Sequence, residues 1–450
     1  MRPADLAELE LEVHGLHSCL VSPVSESMNF LNEVAQRFPE AVSFAAGRPF
    51  EGYFDLDLIH RYLEVYRGYL TERLGGDEVA VRRQILQYGR TKGIIHELIA
   101  ENLRVDEAIT ADPDSIVVTV GCQEALYLVL RALRRDERDV LLAVAPSYVG
   151  VYGAAELVDM TVLPVRDDGS GLDLGDLAAA IVRARAAGLR PRACYVVPDF
   201  SNPSGTSLDL ETRRGLLRLA EEHDILVLED NPYGIFGDGS GPPTLKALDE
   251  RRRVVYLGTY AKSGVPGARV GFVVADQRVR TRPAPGAAED GAADPTGVPL
   301  ADLLSRLKSM LTVNTSPIAQ AVIGGKLLEH GCSLRAANAR EIQVYQGNLD
   351  LMLRGLAARF PAGTDPVVTW NTPAGGFFCV LTVPFPADNE LMELSAAKYQ
   401  VLWTPMHQFY AQTEPRREIR LSFSHLVPQE IDEGLGRLAA FVRDQAATHP

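Results

Sequence analysis

The chain has 450 residues, 46% hydrophobic and 23% charged, with a formal net charge of −14. That length suits one large domain or two to three ordinary ones, and the acidic balance excludes nucleic acid as the principal partner, because phosphate binding needs a concentration of Lys and Arg. No window approaches the roughly 18 consecutive apolar residues of a membrane helix, and the N-terminus alternates acidic and apolar residues where a secretory signal is basic and then apolar, so a cytoplasmic protein without a membrane partner is expected.

From Ser115 onward, short β-branched runs alternate with helical patterns. Residues 116–120 read as a strand, followed by Gly121-Cys122-Gln123 and a helix through Arg134. Residues 140–144 form the next strand, which ends in Ala145-Pro146-Ser147-Tyr148. A helix and the segment 172–188 lead to a strand over 193–197. A helix over 210–223 precedes a strand over 225–229, and strands over 254–257 and 270–274 follow. Continuous apolar runs between helices predict a mainly parallel α/β sheet, with functional residues gathered at the strand ends. Arg251-Arg252-Arg253, just before a strand, reads as a solvated turn. Residues 281–299, rich in Pro, Gly, Ala and Asp without apolar periodicity, read as a flexible surface insertion. Helices from Leu300 and from Ser316 toward His330 come next. A long helix beyond Leu334, strands near 367–369, 376–383 and 418–423, and a final helix over 428–447 predict a smaller α+β domain. The expected division is an N-terminal arm and substrate-pocket segment (1–55), a large domain (56–325) and a small C-terminal domain (326–450). The five cysteines, Cys19, Cys122, Cys194, Cys332 and Cys379, are scattered and lack a close pair, which reads as reduced thiols and no metal site.

Lys262 stands between the apolar run 254–257 and the turn Ser263-Gly264-Val265-Pro266-Gly267. Most lysines are solvated surface charges, but one placed there can present its amine in a pocket and form a Schiff base with an aldehyde cofactor. Upstream lie Ser201-Asn202-Pro203-Ser204-Gly205, which is also a β-turn signal, and Glu229-Asp230-Asn231-Pro232-Tyr233-Gly234. A carboxylate at a buried strand end, as at Asp230, is costly unless a positive group satisfies it. At Gly121-Cys122-Gln123 a strand hands over to a helix, so backbone N–H groups and the helix dipole can meet a phosphate, unless this is an ordinary tight turn. Arg420 lies inside the apolar run Ile419-Arg420-Leu421-Ser422-Phe423. It wants an anion, either a structural carboxylate or a substrate carboxylate held by the guanidinium fork.

In this order and spacing, Asn202, Asp230, Tyr233, Lys262 and Arg269 resemble the fold type I aminotransferases, and the resemblance covers residues 43–423. It implies pyridoxal 5′-phosphate as cofactor, a large domain with a mainly parallel sheet flanked by helices, and a smaller α+β domain. It further implies that Lys262 carries the cofactor and moves the proton, that Asp230 keeps the pyridine nitrogen protonated, and that Asn202 and Tyr233 bind the phenolic oxygen. Tyr148 then stacks on the ring, and Gly121, Cys122, Gln123, Thr259 and Arg269 hold the phosphate. Cys122 and Ala261 stand where relatives often carry a hydroxyl. Arg420, with Asn202, Gly47 and Arg48, is the implied substrate site. The segment Gln87-Tyr88-Gly89-Arg90-Thr91-Lys92-Gly93 resembles one whose tyrosine reaches the phosphate of the neighbouring subunit, so Tyr88 implies a homodimer with shared active sites. Arg90 and Lys92 replace the commoner Pro and Glu and either sense substrate or are merely solvated.

Within that family the chain resembles the aminoadipate and kynurenine aminotransferase branch. The runs Glu12-Val13-His14-Gly15-Leu16-His17, Ser27-Met28-Asn29-Phe30-Leu31-Asn32 and Ser43-Phe44-Ala45-Ala46-Gly47-Arg48-Pro49-Phe50 are similar to the hydroxyphenylglycine and 3,5-dihydroxyphenylglycine transaminases of peptide-antibiotic biosynthesis. This implies ping-pong exchange of an amino group between an amino acid and a 2-oxo acid, an arylglycine and an arylglyoxylate among them. His14, His17, Phe30, Arg48 and Phe50 could line the substrate pocket, or His14 and His17 could belong to an ordered tail. The alternatives are an aminotransferase for aminoadipate, aromatic or other amino acids, a pyridoxal-phosphate oxidase or decarboxylase, and a cofactor-sensing regulatory domain. The forty or so residues before Val42 are too few for a helix-turn-helix module, so a regulator is not expected.

Overall fold

The computed structural model describes residues 11–280, 297–410 and 414–448. Seven strands form the larger sheet: β1 (Ile116–Thr119), β2 (Asp139–Ala145), β3 (Thr161–Arg166), β4 (Arg190–Val196), β5 (Leu226–Asp230), β6 (Val254–Thr259) and β7 (Gly271–Val274). Their order is β1-β7-β6-β5-β4-β2-β3. β7 is antiparallel to both of its neighbours, and the remaining pairs are parallel. Every residue of β1 and β7 is buried, which is why these strands read as continuous apolar runs rather than alternating ones. Helices including Gly121–Leu133, Val149–Glu156 and Leu300–Leu311 fill one apolar cluster against the sheet. Helices Leu56–Arg73, His96–Glu107 and Pro317–Glu329 fill another.

Strand β3 is absent from the sequence-based expectation. It is an edge strand with only Val165 fully buried. Pro164, which lacks a ladder donor, is tolerated at an edge, so neither an apolar run nor strict alternation marks it. Of the expected insertion, residues 281–296 lie outside the described residues. Residues 298–299 depart from the expectation, because Val298–Pro299 pairs antiparallel with Arg278–Val279.

The second sheet is antiparallel, with β8 (Thr369–Trp370), β9 (Phe378–Ala387), β10 (Thr404–Pro405) and β11 (Arg416–Ser422) in the order β8-β9-β11-β10. Helices Ala339–Arg359 and Pro428–Thr448 pack on it around Trp403, Leu421 and Phe441. β10 escapes sequence reading because two residues carry no periodicity. Near the N-terminus, Val42–Ser43 pairs in parallel with Val401–Leu402, and Phe44 is fully buried in the same core. The Ser422 N–H donates to the Phe44 carbonyl at 2.7 Å. Residues 45–48 are thereby laid across the end of β11, beside Arg420. Among the described residues, no helix is long and apolar enough to cross a membrane.

One buried ion pair supports the helix that begins the site. Lys308 Nζ donates to Glu124 Oε2 at 2.7 Å and to Thr312 Oγ1 at 2.8 Å, while the Val120 N–H donates to Glu124 Oε2 at 2.6 Å. Burial pushes the Lys308 amine down, and its carboxylate partner opposes that shift. Lys308→Ala leaves Glu124 as an unpaired buried charge and is expected to destabilise the fold by about 3–5 kcal/mol, read as a lowered urea midpoint. Lys308→Met with Glu124→Leu should recover most of the loss.

Candidate active site

The C-terminal ends of the parallel strands open on a cleft of about 300 Å³, the usual location for a ligand in an open α/β sheet. Each strand end delivers a side chain. Cys122 and Gln123 begin the helix after β1, Tyr148 follows β2, Asn202 follows β4, Asp230 ends β5, and Thr259 ends β6 with Lys262 three residues on. Arg269, in left-handed backbone with φ of 52°, precedes β7. Gly47, Arg48 and Arg420 enter from the second sheet's side.

Asp230 is buried and accepts the Tyr195 hydroxyl at 2.6 Å and the Cys122 thiol at 3.5 Å. Among the described residues it has no cationic partner within ion-pair distance, and burial pushes its carboxyl up to about 6. The Cys122 thiol therefore departs from the expected phosphate role and turns to Asp230, which leaves that helix start only its backbone donors. Tyr195 was missed by sequence reasoning. Its signal was a hydroxyl inside an apolar strand, where a phenol needs a partner.

Arg420 shows the same imbalance with the opposite sign. Nη1 donates to Asn202 Oδ1 at 2.6 Å, and Nη2 donates to the Ala45 carbonyl at 2.6 Å and to Thr404 Oγ1 at 3.2 Å. The guanidinium lies 4.5 Å from the Phe378 ring centroid and 4.6 Å from that of Phe409. Burial pushes it down to about 10, its Nε has no partner, and no carboxylate among the described residues pairs with it. The structural salt bridge that the sequence left open is not formed. A buried cation held in this way is a receptor for an anion. Ala45, Thr404, Phe378 and Phe409 also escaped the sequence, since their approach to Arg420 depends on non-local pairing.

Lys262 is half-buried and donates to the Gly47 carbonyl at 2.7 Å. Burial first, and then the positive charges of Arg420, Arg269 and Arg48, push its amine down to about 8. A neutral amine is the nucleophilic form. Tyr233 hydrogen-bonds Asn202, and burial pushes its hydroxyl well above the usual phenol range. The Asn202 loop is fixed by buried Arg213, which donates to the Pro198 and Leu208 carbonyls and pairs with Asp199 at 2.5 Å. Asn231 Nδ2 donates to half-buried Glu107 at 3.2 Å, and the Gly234 N–H donates to Asn231 Oδ1 at 3.0 Å, fixing the loop between Asp230 and Tyr233.

At Gly121, φ is +74° and an added Cβ would lie 2.4 Å from Arg269 Nη2, so glycine lets the guanidinium sit on the helix start. The Ala261 N–H donates to Thr259 Oγ1 at 3.1 Å. These groups fit pyridoxal 5′-phosphate: an unneutralised buried carboxylate for a pyridinium, a cation over a helix N-terminus for a phosphate, and an amine of lowered pKa for an aldehyde.

Other expected residues lie elsewhere. Tyr88 is 81% exposed and outside this cleft. His14 is exposed, and His17 meets Asp159 at 3.1 Å on the surface. Phe30 faces a different cavity. Phe50 packs on Tyr53, and its N–H donates to the Tyr345 hydroxyl. Only Arg48 of that group lines the cleft, because residues 45–48 are tied to β11 while the earlier segment rests on the large sheet's helices. Arg90 bonds His96 and Asp114, and Lys92 bonds the Asp114 carbonyl and Asp302. Each is thus held by links within this chain, Arg90 at the surface and Lys92 in a buried position.

The family model described as aminotransferase class I and II matches residues 76–438. The chain is 52% identical over 433 residues to (S)-3,5-dihydroxyphenylglycine transaminase of Amycolatopsis orientalis, covering 96% of this chain and 95% of that one. It is 30% identical over 414 residues to a 2-aminoadipate transaminase of Thermus thermophilus, with 91% of each covered. A kynurenine aminotransferase of Pyrococcus horikoshii, solved with PMP, superposes with a TM-score of 0.75 at 28% identity, over 94% of this chain and 95% of that one. An α-aminoadipate aminotransferase of Thermus thermophilus, complexed with N-(5′-phosphopyridoxyl)-L-leucine, gives 0.72 at 27% identity, over 94% and 98%.

The depressed Lys262 amine sets a measurable pH dependence. Covalent capture of pyridoxal 5′-phosphate by cofactor-free protein, trapped with borohydride, should rise with pH through a midpoint near 8, since the deprotonated amine reacts. Arg48→Gln removes one nearby positive charge and should move the midpoint upward, and Lys262→Ala should capture nothing.

Proposed function

The chain belongs to the aminotransferase class I and II family as a transaminase that uses pyridoxal 5′-phosphate, and we propose that it exchanges an amino group between an arylglycine, of the 3,5-dihydroxyphenylglycine or 4-hydroxyphenylglycine type, and a 2-oxo acid in antibiotic biosynthesis. The observation that carries this reading is the 52% identity, spread over nearly the whole chain, to a transaminase of that substrate class. The cleft supports it: the Phe378 ring lies against Arg420, and Arg48 faces the same space, which suits an aromatic ring bearing hydroxyls. The oxidase, decarboxylase and sensor alternatives give way to transamination.

In this reading Arg420 binds the substrate carboxylate and Asn202 orients the guanidinium. Asp230 would hold the proton on the cofactor's ring nitrogen, Tyr148 would cover the ring, and Asn202 and Tyr233 would meet its phenolic oxygen. Arg269, Thr259 and the N–H groups opening helix Gly121–Leu133 would take the phosphate. When bound, the cofactor supplies an electron sink for charge developing at the substrate Cα. The Lys262 amine would be the base that takes the substrate Cα proton and, once protonated, the acid that delivers it to the cofactor's reacting carbon. Tyr195 and Cys122 keep the Asp230 carboxylate aimed through their hydrogen bonds.

A cytoplasmic homodimer with shared active sites is part of the proposal. Tyr88 is useless to its own cleft, and exposed Leu56, Leu86 and Met310 are apolar surface available to a second copy. A second substrate reading, 2-aminoadipate, draws on Arg48, a cation facing the cleft that no carboxylate among the described residues neutralises.

Mixed anaerobically with yellow holo-protein and no oxo acid, an arylglycine should bleach the visible band while 2-aminoadipate leaves it. Bleaching only by 2-aminoadipate or glutamate would transfer the assignment to the second reading. The shared site has its own test. Lys262→Ala and Tyr88→Ala proteins should each be nearly inactive, but co-refolded in equal amounts they should regain about a quarter of the wild-type activity, because half the dimers then hold one native site. No recovery would remove Tyr88 from the neighbouring cleft.

A further inference from the structure

A second cavity, of about 660 Å³, lies between the N-terminal helix Pro23–Arg37, helix Val149–Glu156, β3 and the turn Met406–Phe409. Three of its lining side chains keep a buried polar atom with no partner: Tyr152 Oη, Gln408 Oε1 and His407 Nδ1. Tyr152 is 3% exposed and Gln408 4%. Buried polar atoms are nearly always paired, and the exceptions call for an explanation. These three sit together on one cavity.

Their chemistry specifies what would satisfy them. Gln408 Nε2 donates to Asn389 Oδ1 at 2.7 Å, which leaves Oε1 as a bare acceptor. The His407 ring bonds the Ala387 backbone, and burial pushes its pKa below the ordinary histidine value. Burial thus disfavours the charged ring, and the unpartnered Nδ1 of a ring bonded to the Ala387 backbone through its other nitrogen is a second bare acceptor. Tyr152 Oη can serve either way. Val24, Met160 and Val162 supply apolar wall, and no lysine or arginine is among the described lining residues. Glu156 lines the same space and accepts from the Ser22 hydroxyl at 2.6 Å. No cation among the described lining residues would meet a carboxylate or phosphate, Arg416 being engaged on the ring of the lining Tyr410 at 3.5 Å, and this disfavours the amino acid, oxo acid and cofactor of the main reaction. We propose that this cavity is a binding site, separate from the catalytic cleft, for an uncharged, partly apolar molecule carrying two O–H or N–H donors, for which resorcinol is a probe.

The site adjoins the catalytic one through Phe409. Its neighbours in sequence line the second cavity, and its ring lies against Arg420. The two sites nonetheless differ in the sign of their charge, and that difference supplies the test. Calorimetric titration of the holo-protein with resorcinol should show saturable binding that excess 2-oxoglutarate, which fills the cleft at Arg420, does not displace. 1,3-Dimethoxybenzene, with the same ring and no donors, should not bind. Gln408→Leu should weaken resorcinol at least about tenfold, and Tyr152→Phe, which keeps the packing, gives a second reading if the first variant folds poorly. Absence of saturable binding would mean a cavity holding only water and would overturn the proposal. So would displacement by 2-oxoglutarate, or affinity unchanged in both variants.

Discussion

The site depends on charges that the protein buries and leaves unneutralised. Asp230 and Arg420 are each removed from water and each given hydrogen bonds, but neither is given an opposite charge. Desolvating an ion without a partner is among the most expensive acts in folding, and the surrounding fold sustains it. Arg213 and Asp199 pin one loop, Glu107 and Asn231 pin another, and the Lys308–Glu124 pair fixes the helix start facing them. The stability spent at the cleft is stored as affinity for a ligand of complementary charge pattern: positive where Asp230 lies, negative at both Arg269 and Arg420.

The same crowding of positive groups explains Lys262. In water its amine would be a cation. Burial and three arginines bring its pKa down to about 8, which enlarges the neutral fraction, so one local field both attracts anionic ligands and prepares the nucleophile. Substrate binding and amine activation are thus tied to the same residues.

Much of this was legible in the chain because strand ends announce themselves. Asp230 and Thr259 stand at the ends of apolar runs and Asn202 and Lys262 follow within a few residues, and polar residues so placed have few places to go except the end of a sheet. What stayed hidden was everything supplied from far away in sequence. Ala45, Thr404, Phe378 and Phe409 surround Arg420 through pairing between the two ends of the chain, and no local pattern encodes that. Tyr195 hid for a different reason, since a tyrosine in a strand reads as packing until its hydroxyl is seen to have a carboxylate to meet. β3 hid because an edge strand need not be apolar, and the His14–His17 segment shared phrases with substrate-pocket residues yet rests on the outer surface.

The parallel pairing of Val42–Ser43 with Val401–Leu402, and the bond from Ser422 to Phe44, place the carbonyls that hold Arg420 and Lys262 in a segment made early in synthesis, while its partners are made near the end. During translation the loops after β1 to β6 can take shape on the growing large sheet, but residues 45–48 have nothing to pair with until β11 has left the ribosome. Contacts of such sequence separation are slow to close. The nascent chain therefore passes through a stage in which its sheet is formed and its substrate-binding wall is missing, and sheet formation alone does not make the cleft competent.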